Sequence, residues 1–289
     1  MIVEDWSIGR VLAWASADFR ARGIESARLD AELLLALVLG TDRVRLIIES
    51  ERLLSRGELA AYRELIKRRR SAEPVAYILG KREFYGLDFR VDRRVLIPRP
   101  DTEILVEAAL ARSSDRAMHG RALDLCTGSG CVAIAFKKAR PTWSVTATDV
   151  SAQAIELARE NALRLGAIWG LRFLACDLAS ALDPAERFEL VTANPPYIPS
   201  AEVDALETGI KNFEPRAALD GGADGLDVVR RVIAESVPLL EPHAVLAIEV
   251  AAGQAGAVSE LMARAGLAGL ERHRDYQGHE RVVSGRSRD

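Results

Sequence analysis

Histidine and cysteine are scarce in this chain of 289 residues, and their scarcity closes off several kinds of chemistry. The four histidines stand apart, at positions 119, 243, 273 and 279. Three cysteines, Cys126, Cys131 and Cys176, make an odd number without disulfide or zinc-ligand spacing. No metal is expected, and the cysteines read as small buried apolar residues. Long apolar runs are missing too. The longest, AELLLALVLG, includes Glu32 and falls short of a bilayer span, so no membrane segment is expected. The opening MIVEDWSIGR carries Glu4 and Asp5 in place of the basic, then apolar, pattern of a signal peptide, and the expected location is cytoplasmic. Charge of one sign is also lacking. With 39 Lys and Arg against 42 Asp and Glu the net charge is −3, which gives no global field for nucleic acid. What remains is ordinary globular material, 49% apolar and 28% charged, with room for one large domain or two smaller ones.

The first eighty residues read as helices. Ser7 can cap a helix running towards Gly23, and Ser26 another that ends at Gly40. LDAELLLALVLG has an apolar face too broad for a lone surface helix, so it should pack on its neighbours. SRGELAAYRELIKRRR closes near Pro74, and its run Lys67-Arg68-Arg69-Arg70 sits where cations complement a helix macrodipole. A solvated helix end is one reading of that run; a docking patch for an RNA-rich or acidic partner is the other. From Phe84 the texture alternates, and FYGLDFRVDRRVLIP predicts a short hairpin. DTEILVEAALARS then starts a helix with Asp101 or Thr102 as its cap.

After Gly120 strands and helices alternate. Apolar strands at ALDLC, SVTATD, LRFLAC, FELVTAN and AVLAIEV are interleaved with amphipathic helices such as SAQAIELARENALRLG and GLDVVRRVIAES. The expected fold is α/β, a doubly wound and mainly parallel sheet, with a final antiparallel hairpin in GLERHRDYQGHERVVSG.

Two stretches carry chemistry. In LDLCTGSGCVAIA, Gly128 and Gly130 let the backbone turn tightly after a strand, and the helix that follows turns free N–H groups on a ligand. Nineteen residues past Gly130, Asp149 ends the next strand, where it can accept hydrogen bonds from ribose hydroxyls. The pattern also fits the dinucleotide fingerprint G-x-G-x-x-A, so by itself it specifies a nucleoside and not a reaction. Asp177 ends a third strand, within reach of an adenine edge or as a cap for the next segment.

The second stretch is TANPPYIP, where a strand stops at an amide and prolines. The delocalised lone pair of a planar NH₂ group makes it a poor nucleophile. Two acceptors, the Asn194 side-chain oxygen and the Pro195 carbonyl, could take both its hydrogens and aim that lone pair. Tyr197 offers a flat face for stacking, and the prolines hold the arrangement still.

These residues resemble a known family. DLCTGSG, TDVSAQAIELARENA and NPPYI look like class I methyltransferases that use S-adenosylmethionine. PVAYILGKREFYGLDFRVDRRVLIPRPDTEILVE, FEPRAALDGGADGL and DYQGHERVVSGR more narrowly resemble the glutamine N5-methyltransferases of peptide chain release factors, known as PrmC or HemK. The resemblance implies a Rossmann-like catalytic domain over residues 98–289, a hairpin linker over 81–97 and a small helical substrate-docking domain over 1–80. It implies S-adenosylmethionine as cofactor, held by Asp124, Cys126, Thr127, Gly128, Ser129, Gly130, Asp149, Val150, Asp177, Leu178 and Asn194. Asn194, Pro195, Pro196 and Tyr197 would form the catalytic amide site, acting on the glutamine of the Gly-Gly-Gln loop of class I release factors, free or ribosome-bound, with the enzyme as a monomer. Cys126 stands where the family commonly has glycine, and Leu178 where it sometimes has an aromatic residue. Three rival readings share parts of this pattern. They are a methyltransferase of DNA or RNA base amines, a non-catalytic S-adenosylmethionine-binding or docking protein, and a nicotinamide oxidoreductase.

Overall fold

A computed structural model describes residues 6–112 and 119–288, so the readings at Glu4, Asp5 and Ser113 lie outside the described residues. The chain divides into two compact units, Met1–Lys81 with Thr208–Phe213, and Arg82–Glu207 with Glu214–Asp289.

The first unit is helical. Ser7 caps α1 (Ile8–Ala21), its side chain accepting from the Arg10 N–H at 3.3 Å. In α2 (Ala27–Leu39) Ser26 holds the N-cap position without a side-chain bond, and Gly40 ends the helix at φ 61°. Two short helices, α3 (Arg43–Ile48) and α5 (Val75–Leu79), were not foreseen, because five or six residues are too few to show a period. Between them, α4 (Arg56–Arg70) starts with a capping box of Ser55 and Glu58. Phe19, Leu34, Leu35, Tyr62 and Ile66 form the core of this unit.

The basic run at the end of α4 is largely a solvated end, with Lys67, Arg68 and Arg70 exposed, and its charges are also paired. Lys67 pairs with Glu64, Arg68 with Glu73, Arg69 with Asp30 and Arg70 with Asp18. Asp30 is 1% exposed, so Arg69 neutralises a charge that would otherwise be buried alone. The run staples α4 to its neighbours.

The hairpin is β1 (Lys81–Phe84) and β2 (Leu87–Arg90), turning through Tyr85 and Gly86 at φ 52° and 72°, and it is shorter than the alternating stretch suggested. Phe84 and Phe89 are buried in an apolar cluster of the larger unit. A 3₁₀ turn over Pro100–Thr102 then leads into α6 (Glu103–Arg112). Arg99 occupies the cap position of this 3₁₀ turn and Pro100 its first residue, where its missing N–H costs nothing, while Asp101 and Thr102 lie within the turn.

The remaining elements are β3 (Arg121–Leu125), α7 (Cys131–Ala139), β4 (Ser144–Asp149), α8 (Ala152–Arg164), β5 (Leu171–Ala175), β6 (Phe188–Ala193), α9 (Ser200–Val203), α10 (Thr208–Lys211), α11 (Asp227–Ser236), β7 (Leu240–Glu249), α12 (Ala255–Arg264), β8 (Ala268–Arg274) and β9 (Glu280–Arg286). Their sheet has the order β5-β4-β3-β6-β7-β9-β8, parallel from β5 to β7 and closed by the antiparallel pair β9 and β8. Successive strand residues feed opposite faces. Leu190 and Val245 join one core cluster, Val191 and Leu246 the other. Both faces are covered, which explains strands that read as continuous apolar runs. No helix among the described residues is long and apolar enough to cross a membrane.

Candidate active site

Strand register builds the site. Leu125 of β3 lies level with Thr148 of β4 on one side and with Ala193 of β6 on the other. The tips of these strands, Cys126, Asp149 and Asn194, therefore leave the sheet together. Strand order reverses at β3, and a crevice opens at such a switch point. A cavity of about 340 Å³ lies here, lined by Asp124, Cys126, Thr127, Gly128, Ser129, Asp149, Val150, Asp177, Leu178, Asn194 and Pro196 of the expected site residues. Pro195, Tyr197 and Gly130 are not in its wall.

The turn after β3 winds through three left-handed positions, Cys126 at φ 59°, Gly128 at 54° and Gly130 at 79°. A Cβ on Gly128 would meet nothing within 4 Å, whereas one on Gly130 would lie 2.9 Å from Ile134 Cδ1 and 3.1 Å from the Ala158 Cβ. Gly128 thus keeps the wall open, and Gly130 lets the turn pack on α7 and α8. The left-handed φ at Cys126 is where glycine is most at ease.

Two carboxylates hold the turn. Asp124 accepts from the Thr127 hydroxyl at 2.6 Å and the Thr192 hydroxyl at 2.8 Å, and burial pushes its pKa up to about 6. Asp149 accepts from the Gly128 N–H and the Ser151 N–H, each at 2.9 Å, while burial raises its pKa from the ordinary carboxylate value. Each oxygen of Asp149 retains a lone pair beyond these bonds. Val150 beside it is 65% exposed. Across the cavity Asp177 meets Arg231 at 2.9 Å, and Leu178 is buried at φ 46°.

At the β6 tip, the Asn194 Nδ2 donates to the Thr102 hydroxyl at 3.2 Å, which leaves its Oδ1 to accept from elsewhere. The Pro195 carbonyl accepts no hydrogen bond from the described residues. Tyr197 is held at both ends by the tip of β7 and the chain that follows it. Its hydroxyl stands 3.5 Å from Glu249 Oε1, and its carbonyl accepts from Gln254 Nε2 at 3.0 Å. The loop 219–225 runs against this segment, with bonds from Ile198 N to Leu219 O and from Gly221 N to Ile198 O.

Sequence reasoning gave Thr102 only a helix cap and assigned no role to Glu214, Glu249 or Gln254. Glu214, 1% exposed at its side chain, accepts from the Ile97 N–H and from Arg99, fixing the Pro98–Arg99 edge of the cavity. For Glu249 a signal was present. It ends an apolar strand, as Asp149 does.

Comparison with known proteins gives this geometry its family. Residues 10–80 match the PrmC N-terminal domain and residues 100–212 the methyltransferase small domain. A release factor glutamine methyltransferase of Geobacter sulfurreducens is 43% identical over 285 residues, 98% of either chain. The chain belongs to the release factor glutamine methyltransferase family. A second member, from Rhodopirellula baltica, is 40% identical over 285 residues and 96% of each chain. A crystal structure of a methyltransferase from Pyrococcus furiosus, 16% identical with a TM-score of 0.52, covers 71% of this chain and 91% of its own, and shares the fold. Membership of the release factor glutamine methyltransferase family assigns the glycine turn after β3 to a methyltransferase, which sets aside the nicotinamide oxidoreductase.

Proposed function

We propose that the chain transfers a methyl group from S-adenosylmethionine to the side-chain amide nitrogen, N5, of the glutamine in the Gly-Gly-Gln loop of class I release factors, acting as a cytoplasmic monomer. The observation that carries this reading is the level exit of β3, β4 and β6. One cavity wall is thereby given an open glycine turn, an aspartate with spare acceptor capacity and an asparagine with a free carbonyl oxygen.

The cavity suits a nucleoside on its own terms. Its volume of about 340 Å³ is within the range of small-molecule sites. Asp149 would accept from the ribose hydroxyls, Gly128 would admit the ligand to the backbone, and Val150 and Leu178 would flank the base. Asp177 would meet its amino edge, with Asp124, Thr127 and Ser129 holding the turn in shape. When bound, S-adenosylmethionine supplies an electrophilic methyl group on a sulfonium.

The rest is done by this chain. Asn194 Oδ1 and the Pro195 carbonyl would each accept one hydrogen of the glutamine amide, weakening its conjugation and turning the nitrogen lone pair towards the methyl. Preorganised acceptors cost no rearrangement at that moment. Methylation leaves a strongly acidic nitrogen, so a powerful base is not required. Pro196 stiffens the wall and Tyr197 anchors the segment from behind. We assign docking of the release factor to the helical unit, where Val44, Ile47 and Ile48 expose apolar side chains on α3.

Asn194→Ala tests the amide site, since it removes one acceptor and keeps the Pro195 carbonyl. Single-turnover methylation of release factor at saturating cofactor should fall by roughly 10²–10³-fold, with cofactor affinity changing less. Wild-type turnover in this variant would make the strand-end amide structural and sink the mechanism.

A further inference from the structure

Two buried groups behind Asn194, Thr102 and Glu249, are not explained by the fold alone. The β6–β7 register sets Ala193 beside Ile248, so Asn194 and Glu249 lie side by side at neighbouring strand tips. Thr102, 2% exposed, stands against both. Glu249 is itself 2% exposed, and its Oε2 has no hydrogen-bond partner among the described residues. Burying a carboxylate this incompletely satisfied is costly, and a protein keeps such a group where it does something.

We propose that Glu249 acts through Thr102 as a positioning residue, setting which end of the Asn194 amide faces the methyl acceptor. This rests on the amide-site reading given above. A hydroxyl has one hydrogen to give and two lone pairs to receive with, and an ionised carboxylate can only accept. The Glu249 carboxylate is the acceptor beside the Thr102 hydroxyl, and in this proposal Thr102 directs its hydrogen there. It is then able to meet Asn194 only as an acceptor, so the Asn194 NH₂ turns to Thr102 and the carbonyl oxygen turns to the substrate. Reversing the amide would set two acceptors, Asn194 Oδ1 and the carboxylate, in competition for one hydrogen. The charge on Glu249 is thereby converted into the polarity of an amide one residue away.

Burial raises the Glu249 pKa to about 7, with Asp101 pushing it further up and Arg281 opposing, while the Thr102 and Tyr197 hydroxyls favour the ionised form. Cys131 of α7 also faces the carboxylate. Protonation therefore falls within a usable pH range. Neutral Glu249 can itself donate to Thr102, whose hydrogen is then released, and the constraint on Asn194 disappears.

The test uses the full-length enzyme with purified release factor and compares wild type, Thr102→Val, Thr102→Ser and Glu249→Gln. We expect kcat to drop by roughly ten- to hundred-fold in Thr102→Val and Glu249→Gln, as for outer-shell partners elsewhere, with cofactor affinity by calorimetry changed little. Thr102→Ser should recover most of the loss. In wild type kcat should decline on acidification with a midpoint about 7, and Glu249→Gln should flatten that limb. The Asn194 side-chain amide resonance should shift across the same range in wild type and hold still in Glu249→Gln. Wild-type kcat in Thr102→Val, or an acid limb and an amide titration that survive Glu249→Gln, would overturn the proposal alone. A wild-type enzyme that methylates no release factor would remove the amide-site reading, and this inference with it.

Discussion

At the scale of single residues, Asp149 shows how a site and a fold come to share one side chain. The sequence suggests an acid waiting for ribose, so Asp149→Ala ought to weaken the cofactor and leave folding alone. The structure changes that expectation, because Asp149 already holds the Gly128 and Ser151 N–H groups. Removing it strands both donors, at a cost of about 1–3 kcal/mol for each that water cannot reach. Asp149→Ala should lower the melting temperature of the cofactor-free protein as well as cofactor affinity, the latter by about ten-fold or more, since a bond to a charged acceptor contributes roughly 1.5–3 kcal/mol. Calorimetry and thermal melts on one preparation separate the two effects. An unchanged affinity would take Asp149 out of the site. Cys126 was legible as an oddity in a glycine-rich turn, but its cause, a φ of 59°, is a backbone property that composition does not carry.

Among the elements, the loop after the 3₁₀ turn Arg216–Ala218 decides how the amide segment is held. A Cβ at Gly221 would lie 2.7 Å from the Pro196 carbonyl oxygen and 2.8 Å from the Tyr197 Cα, both of them backbone atoms that cannot swing aside. Gly221→Ala should push the Asn194–Tyr197 segment out of place. Displacement of about 1 Å near reacting groups can cost about 10²-fold in rate, so single-turnover methylation should fall steeply while cofactor affinity falls less. Normal turnover in Gly221→Ala would show that the segment tolerates movement. The string DGGADG carried this requirement in plain sight as part of a family resemblance. Its reason appears only when loop and strand tip are seen in contact.

For the whole molecule the balance of charge separates the main reading from its nucleic-acid rival. The net charge is −3, and all four cations of the run Lys67–Arg70 are spent on pairs within the helical unit. A protein substrate should therefore be methylated with modest dependence on salt. A protein that made six to ten phosphate contacts would lose about 10³–10⁵ in affinity between roughly 50 and 200 mM salt. Measuring kcat/KM for release factor across that range checks this directly. Efficient label transfer to bare RNA or DNA with a steep salt slope, and none to release factor, would reverse the assignment.

What the sequence determined by itself is what depends on neighbours along the chain. Strands of Val, Ile, Leu and Ala alternating with amphipathic helices specify a parallel sheet covered on both faces, and Ser7 and Gly40 mark helix ends through a local hydrogen bond and a left-handed φ. The glycine turn, the strand-end acids and Asn194-Pro195-Pro196-Tyr197 were legible for the same reason, since each is a short string with its own chemistry. Tertiary structure alone decided which of those strings meet. Register across β4, β3, β6 and β7 brings residues 126, 149, 194 and 249 to one edge, although more than a hundred positions separate the first from the last. It also turned the expected cap residue Thr102 into the partner of Asn194, and the expected ligand glycine at 130 into a packing position. Contacts of that kind arise from strand pairing and close packing between distant segments, and no local pattern encodes them.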